Sequence, residues 1–487
     1  MRIIVYAPYA YKLRYFETEL ELAQKHLDAG DEVTVLTCQA KMPECDMKQQ
    51  RQYVCVRCMG RSAHGLSLLE GDVTCEPFYH LSDHEEQQLR ELKTDIFDHE
   101  SLSQLRVDNF DIGWAALSSI VSIHRDPYVD LRANADQLDG LLRSAWSVYH
   151  SVRRRLREQS VDRMYVFNGR HAPMRAAFRA CQAEGVECLL HERGNDFRHY
   201  ELYRNAMPHD CDYFVEQAEA AWEASTVQEE AEGLGAGWFQ DRSQGVEQVG
   251  VSFIQGQQQG QLPENWDAQR RNVAVFVSSE NEFVAIGDSW KNPLYESQLD
   301  GLQKMIDSLE SIDTDLHLYI RVHPNLCFVH NQQTRGLAEL KSPRVTVIPA
   351  DDPICSYSLL LGCEKVLTFG STMGIEAAYW QRPSILAGMS FYREMGATYN
   401  PTSHQQLMDL LHQQLEPRPQ LPAIKYGHYM ATFGIEYEHY LPETRYEGRF
   451  RGEWVKPTRS SWVKSRFVKL YGSAQKRIKR LKPRKAA

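Results

Sequence analysis

The stretch KVLTFGSTMGIEAAYWQRP, residues 365–383, decides the fold. Its first five residues are mostly apolar and rich in β-formers, which predicts a buried strand over 365–369. Gly370 ends that strand, Ser371 is a good helix N-cap, and a helix follows. The small residues Gly370, Ser371 and Gly374 leave room for a ligand against the backbone. Free N–H groups and a partial positive charge at the start of a helix suit phosphate. Glu376 lies four residues after Thr372, so both project from one helix face, a hydroxyl for phosphate and a carboxylate for ribose. An ordinary capped turn has the same appearance, because small-residue turns are common.

The surrounding half repeats the pattern. Strands are predicted over 273–277, 317–322, 345–348 and 384–387, with helices over 295–309 and 405–415. Ser278-Ser279, Arg321-Val322-His323-Pro324, Asp351-Asp352-Pro353 and Ser371-Thr372 stand at or just past the carboxyl ends of successive strands. In a parallel sheet those ends share one edge, so the four clusters converge on one anion-binding crevice. Taken singly, Asp352-Pro353 is a normal helix start and His323 reads as structural.

The chain opens in the same style. Residues 2–7 read as a strand, 16–29 as a helix closed by Gly30, and 32–37 as a second strand, a β–α–β start to a parallel sheet. Ala7-Pro8-Tyr9-Ala10 stands where a dinucleotide site needs G-x-G-x-x-G, which argues against such a site here. Residues 81–160 read as largely helical. Strands over 164–167 and 186–190 precede Asn168-Gly169-Arg170-His171 and His191-Glu192-Arg193-Gly194, again at carboxyl ends, although both are also turn formers. Cys55 and Cys58 form C-V-R-C, with Cys38 and Cys45 nearby, a spacing that suggests one structural zinc.

Length and charge set further bounds. A chain of 487 residues exceeds one ordinary core. Eleven cysteines without a secretion signal predict reduced thiols in a cytoplasm. Residues 455–487 hold twelve Lys or Arg and no acid, which leaves a body of charge −22. An acidic body argues against nucleic acid as partner. In the tail, Trp462, Phe467, Leu470, Tyr471, Ile478 and Leu481 recur at near-helical spacing among basic residues, the pattern of a helix lying in an anionic membrane surface.

Residues 321–324, 351–353 and 370–377 resemble bacterial capsule and surface polysaccharide biosynthesis glycosyltransferases of GT-B architecture. The His-Pro dipeptide is similar to that of capsular Kdo transferases and polysialyltransferases. The resemblance implies two Rossmann-like domains facing across a cleft. These are an acceptor domain over 1–240, a linker over 241–268 centred on QGQQQGQ, a donor domain over 269–420, a return segment over 421–454 and a basic tail over 455–487. It implies transfer of a sugar from a nucleotide-sugar donor to a glycan or glycolipid acceptor, with no cofactor required, on the inner face of the cytoplasmic membrane. His323, Arg321, Ser371 and Thr372 would stabilise the leaving phosphate, with Gly374 and Glu376 beside them and Ser278 and Ser279 on the other wall. Glu192 is the first candidate base and His171 the second, with Arg170 and Arg193 on the acceptor side. A sugar-nucleotide epimerase of the same architecture, or a non-catalytic assembly protein, would share these features.

Overall fold

The computed structural model describes the chain apart from residues 12, 13, 48, 50, 247–252, 255 and 482–487, and describes 471–481 by backbone alone. Two compact units result. One comprises 1–123, 129–208 and 434–487, and the other 124–128 and 209–433.

The first unit is built on β1 (Arg2–Tyr6), α1 (Tyr15–Asp28), β2 (Glu32–Thr37), α2 (Gln52–Leu66) and β3 (Val73–Pro77). Four helices follow, α3 (Asp83–Glu91), α4 (His99–Ser103), α5 (Ile112–His124) and α6 (Ala135–Glu158). Then come β4 (Arg163–Phe167), α7 (Ala172–Glu184), β5 (Glu187–Arg193) and β6 (His199–Arg204). β3, β2, β1, β4 and β5 lie side by side in that order and run parallel, and β6 adds antiparallel to β5. Ile3, Val5, Val33 and Val35 meet Phe16, Leu20 and Ala23 of α1 in the core. β3 and β6 escape a reading by hydrophobic run, because β3 has no buried residue and β6 mixes polar with apolar.

The second unit opens with α8 (Cys211–Glu223) and α9 (Gln228–Gln244). It continues through β7 (Arg271–Phe276), α10 (Gln298–Glu310), β8 (Leu316–Arg321), α11 (Gln332–Glu339), β9 (Val345–Ile348) and α12 (Ser356–Gly362). It closes with β10 (Lys365–Thr368), α13 (Met373–Tyr379), β11 (Ser384–Leu386), α14 (His404–His412) and α15 (Leu421–Thr432). Its five strands, in the order β11-β10-β7-β8-β9, are all parallel. The switch between units therefore falls at residues 208/209, ahead of the 241–268 segment read as a linker. The glycine-rich run 233–237 is helical. Gly235 of α9 meets the backbone of Ile424 and Gly427 of α15, and a side chain at either position would collide with the other helix. Around that crossing, Phe214, Trp238, Phe239, Tyr379, Tyr426 and Tyr429 form a second core.

Residues from Gly434 belong to the first unit again. β12 (Ile435–Glu436) pairs with β6, and β13 (Tyr440–Pro442), β14 (Gly448–Phe450) and β15 (Glu453–Trp454) make a small antiparallel sheet. Buried Glu21 anchors this return: its carboxylate accepts the N–H groups of Glu438, His439 and Tyr440 at 2.8, 2.9 and 3.0 Å. The chain ends in α16 (Arg459–Leu481), which packs on α2 through buried Ser461 and Ser465. No helix among the described residues is long and apolar enough to cross a membrane.

Candidate functional site

In the second unit, two of the four clusters read at strand ends, Arg321-Val322-His323-Pro324 and Ser371-Thr372, line one cavity, while Ser278-Ser279 and Asp351-Asp352-Pro353 do not. This cavity of about 90 Å³ is walled by Phe276 and Val277 at the end of β7, Arg321 and His323 at the end of β8, and Ser371 and Thr372 beyond β10. Tyr357 of α12 and Arg242 of α9 also line it, and among the described residues no carboxylate does.

Each polar group there has a defined state. The ring of His323 accepts the Asn325 N–H on Nδ1 at 3.0 Å, which puts its own proton on Nε2. Burial, helped by the nearby Arg321 charge, holds this imidazole down to about 4, so it is neutral and donates one N–H. Arg321 is almost fully buried and binds the carbonyls of Pro349 and, at 2.9 Å, Asp352. Its Nε is buried without a hydrogen-bond partner. Arg242 lies over the Trp238 ring at 4.8 Å and reaches Glu376 at 2.9 Å and the Thr372 hydroxyl at 3.2 Å. Burial works against its charge, but the Glu376 carboxylate outweighs it and raises its pKa.

Glu376 departs from its expected role. It is completely buried, with one oxygen taken by the Tyr357 hydroxyl and the other by Arg242. A carboxylate so enclosed orients a cation; it does not present itself to a ribose. Gly374 departs too: a Cβ there would strike the Tyr392 hydroxyl, so its smallness serves packing. The N-cap position is Thr372, and Ser371 instead accepts the Met373 N–H at 3.3 Å. Ser278 and Ser279 stay off the cavity wall. The Ser278 backbone is bonded to Gln298 and Gln333, and the Ser279 hydroxyl bonds Asn281 at 3.0 Å.

Sequence reading missed Arg242 and Tyr357. The signal for Arg242 was the helical recurrence of Ala231, Gly235, Trp238 and Phe239 on one buried face of α9, which the polar residues between them obscured.

In the first unit, Glu192 and Arg193 are the last residues of β5, not the turn beyond it. Asn168, in the left-handed region at φ 56°, donates to Glu192 at 2.6 Å. Tyr15 also bonds this carboxylate, and the Arg193 side chain is 3.6 Å from it. His171 sits apart from this set, its Nδ1 3.3 Å from Asp46, whose other oxygen accepts the Tyr9 hydroxyl. Arg170 is buried and donates to Ser118 at 2.7 Å.

The four cysteines do not form the expected ligand set. Cys55 and Cys58 lie one turn apart within α2 and, with Cys38 and Cys45, line an apolar pocket. Among the described residues, no group of three or more His, Cys, Asp or Glu could hold a metal ion. Burial pushes the Cys58 thiol up to about 12.

The chain thus carries two α/β units, each centred on a largely parallel sheet, as the GT-B reading expects. Residues 290–440, which include β8 to β11 and the cavity's His-Pro and Gly-Ser-Thr turns, match the family model described as capsule polysaccharide biosynthesis protein. The resemblance read from residues 321–377 thus holds for this part of the chain. Among solved structures the chain is similar to two KpsC domains of Thermosulfurimonas dismutans. The β-Kdo 2,4-transferase is 14% identical over 55% of this chain and 79% of that one, with a TM-score of 0.36. The β-Kdo 2,7-transferase is 15% identical over 57% and 79%, with a TM-score of 0.33. A complex of S. aureus MnaA with UDP is 13% identical over 88% and 94%, with a TM-score of 0.24. No curated protein matches the chain.

Proposed function

We propose that the protein is a glycosyltransferase that moves a sugar from a nucleotide-sugar donor to a growing capsular or surface polysaccharide. The observation that carries this is the cavity of the second unit. Among the described residues, its wall holds two guanidinium groups, a neutral imidazole N–H and several hydroxyls, and no carboxylate. Such a donor set suits the negative charge that develops on a nucleoside phosphate as the glycosidic bond breaks. Arg242 supplies the charge and is held in place by Glu376 and Thr372 from below. The His323 Nε2–H and the Arg321 Nε–H add neutral and charged donors, and the Ser371 hydroxyl lies at the same wall. In an inverting reaction the acceptor hydroxyl needs a base. Glu192 is our first assignment, with Asn168, Tyr15 and Arg193 fixing its orientation, and His171 with Asp46 is the second.

The tail gives this enzyme a place to work. On the described part of α16, Trp462, Val463, Phe467 and Leu470 are exposed, the last two at 68%. Lys464, Arg466 and Lys469 lie between them. An apolar row set among cations favours an anionic membrane surface. The test of the reaction is release of nucleotide from a panel of nucleotide sugars with and without glycan acceptor. Acceptor-dependent release supports a transferase, and release of an isomerised sugar without acceptor would point to an epimerase.

A further inference from the structure

The pocket that the thiols line has no place in the proposed reaction as stated so far. It lies in the first unit, at the carboxyl ends of β1 and β2, with a volume of about 390 Å³. That is the edge where open α/β sheets bind ligands. Its walls are Ala10, Cys38, Cys45, Val54, Cys55 and Cys58, with further Ala, Met and Leu side chains around them. Among the described residues, no charged side chain lines it. Two of its hydroxyls are already engaged, that of Tyr9 by Asp46 and that of Thr37 by the Glu76 carbonyl at 3.3 Å. The Cys58 thiol faces the Pro8 carbonyl at 3.9 Å. The rest of the wall is mainly carbon and polarisable sulfur, with Gln39 and Ser62 as its other polar side chains, and it adapts to a flexible apolar ligand.

The neighbourhood narrows the ligand. α2 forms one wall of the pocket and is packed on another side by α16, where Gly60 abuts Ser461 and Arg57 donates to Ser465 at 3.0 Å. The outward surface of α16 is the apolar and basic row described above, and Met59 of α2 is both exposed and on the pocket wall. One helix therefore stands between a surface suited to anionic lipid and an apolar pocket of ligand size. We infer that this pocket holds the hydrocarbon chain of a lipid-borne glycan acceptor. The acceptor role rests on the glycosyltransferase reading, while the affinity for a long hydrocarbon chain does not.

The test is thiol footprinting of the full chain with N-ethylmaleimide, read by peptide mass spectrometry, with submicellar n-dodecyl phosphate or farnesyl phosphate as ligand. Cys38, Cys45 and Cys55 should be protected at least fivefold, and Cys211 and Cys327 in the second unit should react as before. The arm that protects better tells a saturated chain from an isoprenoid one. Each methylene removed should weaken binding about fourfold, so n-octyl phosphate should need a more than 100-fold higher concentration. Cys55→Trp, which fills the pocket, should abolish protection at Cys45. Cys38→Phe serves if circular dichroism shows Cys55→Trp misfolded. Protection by inorganic phosphate, equal protection by octyl and dodecyl chains, or no protection would overturn the inference. Nucleotide titration of the same samples keeps the two readings separate. Chain-dependent protection without nucleotide binding would sink the transferase and leave the pocket's ligand standing.

Discussion

Glu376 and Arg242 are 134 residues apart in sequence and form one ion pair at the cavity, the carboxylate fully buried and the guanidinium side chain 28% exposed. Removing one partner of such a pair strands the other's charge. Glu376→Gln should therefore cost on the order of 3 kcal/mol of stability, read as a lower midpoint in urea unfolding. An unchanged midpoint would mean that Arg242 is solvated, not clamped. His323 was legible in the sequence because Arg321-Val322-His323-Pro324 ends a strand of unmistakable hydrophobic pattern. Arg242 was not, because an ion pair between distant segments leaves no trace in local periodicity. The misassignment of Glu376 has the same origin: its spacing to Thr372 is right for one helix face, but spacing does not reveal that the face points inward. His323 also makes a prediction about pH. Its folded pKa of about 4 lies below the ordinary 6.5, so between those values the unfolded chain takes up a proton that the fold does not. The stability linked to this group is complete above pH 6.5 and is lost as pH falls toward 4. The urea midpoint of the wild type should accordingly fall more steeply between pH 7 and 5 than that of His323→Asn. Parallel slopes would show that the imidazole titrates normally.

Among elements, α9 carries Arg242 and is fixed by its crossing with α15. Gly235 and Gly427 allow the two backbones to touch, so Gly235→Val forces them apart. Overpacking of this kind costs about 1–3 kcal/mol. The displaced helix should take Arg242 with it, so nucleotide affinity should fall along with the thermal midpoint. A midpoint loss with full nucleotide affinity would separate Arg242 from the site. The sequence presented this helix as a Gly-rich approach to a linker, because glycine signals both flexible chain and close helix packing. Similar ambiguity misplaced C-V-R-C. A separation of three residues suits a zinc loop and a helical turn equally, and α2 takes the second form. By contrast β1, β2, β7, β8 and β10 were readable because strands buried on both faces appear as apolar runs with little ambiguity.

For the molecule as a whole, our proposal assigns donor chemistry, acceptor chemistry and location to the two α/β units and the basic tail. The tail prediction concerns location alone. A chain ending at Pro457 should lose co-sedimentation with vesicles containing anionic lipid, and the intact protein's binding should weaken as salt rises. Nucleotide binding should be equal in both forms. Unchanged co-sedimentation of the truncated chain would assign the membrane contact elsewhere. The two-unit plan was legible from the repeated alternation of strand and helix. The return of residues 434–487 to the first unit depends on Glu21 capping three distant N–H groups, a tertiary interaction that no local pattern announces.

Calorimetric titration of the intact protein with UDP, dTDP, GDP, CDP and CMP tests the donor site most directly. At least one of these nucleotides should bind, and Arg242→Gln and His323→Ala should each weaken that nucleotide by about tenfold or more while circular dichroism stays unchanged. Absence of binding by every nucleotide, or full affinity in both variants, would contradict the assignment of this cavity to a nucleotide-sugar donor.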